Sequence, residues 1–210
     1  MLKSNILSDS FSFDMGVTYA HTVSISLVDF SSYLSSLSNQ KVLIFIDPVV
    51  LSHQDNLLPL ISELDDCQLV PTDLQEQSKD FDSLTAVLNM MESQGIGRRN
   101  DKIIAVGGGA LLDVVAFAAS IYRRGINVVK VPTTLLGIVD ASIGIKTGIN
   151  FLGQRNRIGS YHFNYDVLID PLLLRGLHPN QVRHGLGELF KISIIKSRSL
   201  FYKLSEHKDQ

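Results

Sequence analysis

From Lys41 onward the chain alternates short apolar runs with segments of helical periodicity. Val42-Leu43-Ile44-Phe45-Ile46, ending at Asp47-Pro48, is a β-branched and aromatic run without polar interruption. That is the profile of a strand covered on both faces, as in a parallel sheet. Further strands are predicted over 68–71, 103–106, 128–132 and 167–170, with helices over 57–64, 81–94, 111–123 and 134–142. In the helix over 81–94, Phe81, Leu84, Val87, Leu88 and Met91 stand at helical spacing and Gly95 stops it. Residues 144–159 read as a polar loop rich in Gly, Asn and Lys/Arg. Residues 180–204 read as one long helix with Val182, Leu186, Leu189, Ile192, Ile195, Leu200 and Leu204 at its apolar positions. Strands alternating with helices predict an α/β fold: an open, mostly parallel, Rossmann-like sheet with helices on both faces.

Composition narrows the function. The 210 residues are 45% apolar and 19% charged, which excludes disorder and requires a substantial core. Lys+Arg 19 against Asp+Glu 21 gives 19 − 21 = −2, so no electrostatic footprint points to nucleic acid or an anionic membrane. A small phosphorylated substrate needs only a few focused cations and remains compatible. Cys67 is the only cysteine, so no intrachain disulfide or thiolate metal cluster is expected, and a reducing cytoplasm fits. Met1-Leu2-Lys3-Ser4-Asn5 lacks a cationic segment followed by an apolar run, so no signal peptide is expected. Residues 103–121 are apolar, but Gly107-Gly108-Gly109 and Asp113 make them a strand, a turn and a helix rather than a membrane span.

Three places could carry chemistry. Gly107-Gly108-Gly109, between a strand and a helix, would let backbone approach a pyrophosphate at the helix N-terminus, where unpaired N–H groups and the dipole attract anions. The same turn could serve packing alone, and the G-x-G-x-x-G spacing is absent. Asp140, Lys146, Asn150, Arg155, Asn156 and Arg157 fall within eighteen residues. They read either as a pocket for a phosphorylated, hydroxyl-rich substrate or as a solvated loop. His184, Glu188 and Lys191 share one helix stripe, where His and Glu could reach a divalent metal. An ordinary Glu188–Lys191 ion pair is the favoured reading of that stripe.

Taken in order, the motifs resemble the sugar-phosphate cyclases, of which dehydroquinate synthase is the best-known member. The resemblance runs through Gly107-Gly108-Gly109-Ala110-Leu111-Leu112-Asp113, Tyr122-Arg123-Arg124-Gly125 and Val131-Pro132-Thr133-Thr134-Leu135-Leu136. It continues through Val139-Asp140 with Lys146-Thr147-Gly148, Arg155-Asn156, and Gly185-Leu186-Gly187-Glu188 with Lys191. It implies NAD used transiently: a hydroxyl is oxidised, phosphate is eliminated, the ketone is reduced again, and the chain closes by aldol addition. A divalent metal, Zn or Co, is implied as the polarising group. Asp47, Glu76, Lys79, Gly107, Gly108, Gly109, Asp113, Thr133 and Thr134 are the implied cofactor-binding residues. Arg124, Asp140, Lys146, Arg155, Asn156 and Lys191 are implied to act on substrate, and Glu188 is the implied metal ligand, with His184 left out. Ile145 before Lys146, and Arg155 where dehydroquinate synthase has lysine, are more similar to the 2-epi-5-epi-valiolone synthase and desmethyl-4-deoxygadusol synthase branch, which cyclises sedoheptulose 7-phosphate.

The resemblance also implies a division into an NAD-binding domain over 1–175 and, over 176–210, the first helix of a helical metal and substrate domain. In the family that second domain supplies two further metal-ligand histidines, which His207 cannot replace. One carboxylate does not hold zinc, whose catalytic sites use three protein ligands. The chain is therefore read as a fragment, as a partner to a complementing C-terminal chain, or as an inactive NAD-binding module. A homodimer and an exposed apolar patch on the last helix are also expected. An ordinary nicotinamide dehydrogenase is disfavoured by the missing fingerprint.

Overall fold

The uninterrupted apolar runs form the centre of a sheet because both of its faces are covered. In the computed structural model, which describes residues 8–13, 21–27, 29–37, 40–163 and 165–206, the strands and helices alternate as expected. Met1–Asn5 and His207 lie outside the described residues. The elements are β1 (Ser8–Phe13), β2 (His21–Leu27), α1 (Phe30–Ser35), β3 (Val42–Ile46), α2 (Pro48–His53), α3 (Leu57–Ser62), β4 (Cys67–Pro71) and α4 (Phe81–Ser93). They continue with β5 (Lys102–Gly107), α5 (Gly109–Ile121), β6 (Val128–Pro132), β7 (Lys146–Phe151), β8 (Gln154–Tyr161), β9 (Tyr165–Ile169), α6 (Pro179–Lys196) and α7 (Arg198–Glu206). Short 3-10 turns cover Glu76–Ser78, Tyr122–Arg124 and Pro171–Leu174, and a π-helical turn covers Gly137–Ala141.

Seven strands form one sheet in the order β1-β2-β9-β6-β5-β3-β4. Six of them are parallel, and β1 pairs antiparallel with β2 at the edge. Alternate residues of each central strand enter opposite cores. Leu43, Phe45, Ile103, Ala105 and Val128 pack with α4, α5 and Ile149 of β7. Val42, Ile44, Ile46, Ile104, Val106, Val129 and Val131 pack with α1, α2 and α3. Helix α5 is nearly all apolar because eight of its side chains, from Leu111 to Ala119, are buried.

The structure corrects two expectations. Residues 144–159 are no loop: β7 and β8 form an antiparallel hairpin over Leu152 and Gly153, both at positive φ (48° and 73°), as a two-residue turn with the sheet's twist requires. The hairpin was hidden because Gln154, Arg155, Asn156 and Arg157 are all exposed and give no apolar alternation. The long helix over 180–204 is two helices. Ser197 is extended (φ −148°, ψ 96°), its carbonyl accepts from Phe201 N, and its hydroxyl accepts from Leu200 N, so it ends α6 and caps α7. The expected exposed apolar side chains are there: Ile194 and Ile195 on α6, Phe201 and Tyr202 on α7. Among the described residues no helix is long and apolar enough to cross a membrane.

Asp170 ties the sheet's far side together. Only 4% exposed, it accepts from Phe30 N at 2.9 Å and from Leu172 N at 2.8 Å, so one carboxylate caps two helical turns. Asp170→Ala strands both donors, and a loss of about 2–3 kcal/mol in urea unfolding is expected. A loss below about 0.5 kcal/mol would show that water replaces the carboxylate there.

Candidate functional site

Chain order fixes where a ligand crevice can open. From β3 the chain goes outward to β4, then returns to lay β5 on the other side of β3. In open parallel sheets such a reversal opens a crevice beyond the carboxyl ends of the two strands. Here β3 ends at Ile46, directly before Asp47, and β5 ends at Gly107. Asp47 accepts from Val49 N at 2.9 Å and caps α2, with Pro48 in the first turn.

The glycine turn has two kinds of glycine. A Cβ on Gly107 would stand 3.0 Å from Leu111 Cδ1, so that glycine serves packing. A Cβ on Gly108 would stand 3.4 Å from Thr134 Cγ2, and one on Gly109 3.5 Å from Ala141 Cβ, both ordinary contacts. Gly108 has extended backbone (φ −78°, ψ 177°) and offers no side-chain cap to α5. Among the described residues no contact requires glycine at these two positions. What they leave is bare backbone at an uncapped helix N-terminus, the surface a pyrophosphate needs.

Thr133 and Thr134 close the next side. Thr133 N donates to Gly107 O at 3.0 Å, and Thr134 Oγ1 accepts from Gly137 N at 3.0 Å. The π-helical turn then folds back on the glycines: a Cβ on Gly137 would stand 2.9 Å from Thr134 Oγ1 and 3.8 Å from Gly109 N. Asp140, exposed on that turn, is thus brought beside the glycine turn.

Beneath this surface lies a buried charge centre. Lys79, 1% exposed, donates to Asp113 Oδ2 on α5 at 2.7 Å and stands 3.9 Å from Glu76 Oε2. Burial pushes the Asp113 carboxyl up, against the pull of Lys79. One of the three Lys79 ammonium donors is held by Asp113. Asn150 joins this centre to the hairpin. It donates from its backbone to Lys79 O (2.6 Å) and from its side chain to Glu76 O (2.7 Å), while its Oδ1 accepts from Asn156 N (2.9 Å). That last bond holds Asn156 in left-handed backbone (φ 50°) beside exposed Arg155.

The polar residues grouped in the sequence do not form one cluster. Thr147 and Ser120 of α5 both meet the Ser160 hydroxyl, so Lys146 stands toward the C-terminal half of α5, whereas Asn150 meets Asp113's partner. Arg124 follows the end of α5, about 20 Å along the helix from Gly109 at 1.5 Å per residue. The structure therefore places Arg124 at the other end of α5 from the glycine turn, and sets Lys146 and Asn150 toward opposite ends of β7.

Helix α6 docks through glycine. A Cβ on Gly185 would lie 2.5 Å from Leu135 Cβ and 2.8 Å from Leu136 N, so the helix rests almost on the backbone leading into the π-helical turn. One turn later Glu188 pairs with Lys191 at 2.5 Å, the ion pair the sequence favoured. Among the described residues no group of three or more His, Cys, Asp or Glu side chains could hold a metal ion. Glu188 alone does not make a metal site.

Lys130 was missed. It is fully buried in β6 between Val129 and Val131, and its Nζ donates to Ala141 O at 3.0 Å and Gly144 O at 3.1 Å. Burial lowers its pKa to about 8, with Asp113 acting the other way. A lone charge inside the apolar run Val128-Val129-Lys130-Val131-Pro132 was the available signal.

Against known proteins, the family model described as 3-dehydroquinate synthase N-terminal matches residues 69–184. A 2-epi-5-epi-valiolone synthase of Streptomyces albus is 42% identical over 142 residues, which is 68% of this chain and 35% of that protein. The solved 2-epi-5-epi-valiolone synthase of Streptomyces hygroscopicus subsp. jinggangensis, with NAD+ and Zn2+ bound, superposes with a TM-score of 0.82 at 32% identity, covering 93% of this chain and 56% of that one. A 2-deoxy-scyllo-inosose synthase complexed with carbaglucose-6-phosphate, NAD+ and Co2+ gives a TM-score of 0.72 at 25% identity, over 89% of this chain and 52% of that one. The chain thus spans about a third to just over half of these relatives. It belongs to the 3-dehydroquinate synthase family.

Lys130 makes a pH-dependent prediction. Its folded pKa of about 8 lies below its ordinary value of 10.5, so the unfolded chain holds more protons between those limits and folding gains stability as pH rises. Lys130→Met removes that gain. Urea midpoints at several pH values from 7 to 11 should show wild type gaining on the variant between pH 8 and 10.5, whereas a constant gap would mean that Lys130 does not titrate there.

Proposed function

We propose that this member of the 3-dehydroquinate synthase family is the NAD-binding part of a sugar-phosphate cyclase that takes sedoheptulose 7-phosphate. The observation that carries the reading is the bare backbone of Gly108 and Gly109 at the uncapped N-terminus of α5, beyond the β3–β5 reversal. The relatives named for 2-epi-5-epi-valiolone, and the solved ones holding NAD+, support it.

In this reading residues 1–175 bind the cofactor and 176–210 begin a helical substrate domain. The amides of α5's first turn hold the pyrophosphate, and Asp47 takes ribose hydroxyls with the carboxylate that already caps α2. Thr134 spends its oxygen on Gly137 N and keeps its hydroxyl proton for a ligand. Asp113, locked by Lys79, fixes the floor. When bound, NAD+ supplies a hydride acceptor for one substrate hydroxyl. Asp140 and Asn156 orient sugar hydroxyls, while Lys146, Arg155 and Lys191 neutralise phosphate charge. Arg124 would take part only where the far end of α5 meets a bound substrate in an assembly, a homodimer or a complex with a complementing chain. Glu188 would contribute one ligand to a divalent metal, for which the described residues hold no group of three or more candidate side chains. A single cysteine suits a reducing cytoplasm.

A second reading is an NAD-binding module without catalysis. One experiment separates the readings. NAD+ is titrated calorimetrically into the wild-type chain and Gly108→Val, followed by a phosphate-release assay with sedoheptulose 7-phosphate, Zn2+ and a complementing C-terminal chain. One NAD+ per chain, weakened at least about tenfold by the added side chain, supports the cofactor site. Phosphate release then supports the cyclase, NAD+ binding without release supports the module, and a folded chain that ignores NAD+ contradicts both.

A further inference from the structure

Between Asp140 and Lys146 the backbone is neither helix nor strand for most of its length, yet four of its carbonyls and two of its amides are held. The carbonyls of Ala141 and Gly144 accept from Lys130 Nζ at 3.0 and 3.1 Å. The Ile143 carbonyl accepts from the Tyr165 hydroxyl at 2.6 Å, and the Ile145 carbonyl from His162 N at 2.8 Å. On the amide side, Ser142 N donates to Gly137 O and Gly144 N to Asp140 O, both at 2.9 Å. The Lys130 ammonium also lies 4.0 Å from the centre of the Tyr165 ring, whose face is electron-rich. Four successive-region carbonyls are thus gripped from β6, β9 and the segment before β9, while the residues flanking them, Asp140 and Lys146, are exposed.

The grip is held at a cost. Asp113 takes Lys79 at 2.7 Å, and the Lys130 hydrogen bonds described go to backbone carbonyls, so Lys130 is a buried cation held without a carboxylate hydrogen bond among the described residues. A methionine would fill similar volume without the desolvation penalty. It would also leave the Ala141 and Gly144 carbonyls without donors, and only a lysine on this strand reaches two carbonyls and a ring together. A buried charge kept where an apolar residue would fold more cheaply marks a functional constraint.

We propose that Lys130 and Tyr165 form a carbonyl clasp that fixes the spacing of Asp140 and Lys146, making Lys130 a positioning residue for substrate binding. The inference rests on the sugar-phosphate reading of the site and adds to it a residue that no ligand touches. Without the clasp, the turn keeps its ends but not their separation, and the ligand must pay to order it. The cofactor surface at Gly108 and Gly109 does not depend on the clasp, so the two affinities part company.

The test uses the 210-residue chain as wild type, Lys130→Met and Tyr165→Phe. Hydrogen exchange followed by mass spectrometry reads the amides over 141–146, with 103–107 as an internal control. Calorimetry reads NAD+ alone, then sedoheptulose 7-phosphate at saturating NAD+. Lys130→Met should speed exchange over 141–146 and weaken the sugar ester, each by at least about tenfold, with NAD+ affinity within about twofold of wild type. Tyr165→Phe, which removes one oxygen, should give the same pattern at smaller size and carries the test if the first variant fails to fold. Unchanged exchange overturns the clasp. Faster exchange with unchanged ester affinity overturns the positioning role and leaves a structural one. A wild-type chain that binds NAD+ but no ester counts against the substrate reading, and exchange over 141–146 still decides the clasp by itself.

Discussion

The polar end of the molecule is held where glycine backbone lies directly against its neighbours. At Gly137 an added Cβ would meet the Thr134 hydroxyl at 2.9 Å, and at Gly185 it would meet Leu135 at 2.5 Å. Those two approaches set glycine backbone directly against the Thr134 and Leu135 side chains and close to the Gly109 and Leu136 amides, which ties the start of α5, the π-helical turn and α6 together. Because interiors are close-packed, a shift of one methyl group at either place is transmitted to its neighbours. Asp140 on the turn, and the Glu188–Lys191 pair on α6, owe their positions to these contacts. Gly108 and Gly109 differ because a Cβ there would find room, and their bareness faces outward from the fold's own packing.

Two buried lysines stabilise this arrangement in opposite ways. Lys79 has a carboxylate partner at 2.7 Å, so its charge is compensated, and Asp113 bears the cost of burial as a raised pKa. Lys130 has two carbonyls and a ring instead, and its own pKa falls to about 8. Both lie beneath the exposed candidates rather than among them. Asn150 adds the lateral tie, joining the Glu76–Lys79 turn to the left-handed Asn156. The exposed polar residues are held by a buried polar layer, and that layer by the apolar sheet.

Much of this was legible in the sequence. The five strands from β3 onward in the sheet announce themselves because apolar runs covered on both faces need no alternation to be recognised. The edge strands β1 and β2 were not read: Ser8-Asp9-Ser10-Phe11-Ser12-Phe13 carries too few apolar residues to separate a strand from a loop. The hairpin failed for a related reason, since four consecutive residues of β8 face solvent. The break at Ser197 failed because apolar spacing continues smoothly from Ile195 to Leu200. Around the site, Asp47, the glycines, Thr133, Thr134 and Asp140 were found by motif and are brought together at the carboxyl edge of the sheet. Spacing along the chain could not show that Arg124 stands at the other end of α5, because that depends on the direction in which the helix runs. Nor could it show that Lys79 pairs with Asp113.

The central claim is that a dinucleotide rests its diphosphate on the uncapped end of α5. A crystal structure of the chain grown with NAD+ tests it most directly. Difference density for two phosphates over Gly108 and Gly109, with a ribose beside Asp47, is the result expected. Clear density for NAD+ elsewhere on the molecule, with the glycine turn left to solvent, would contradict it.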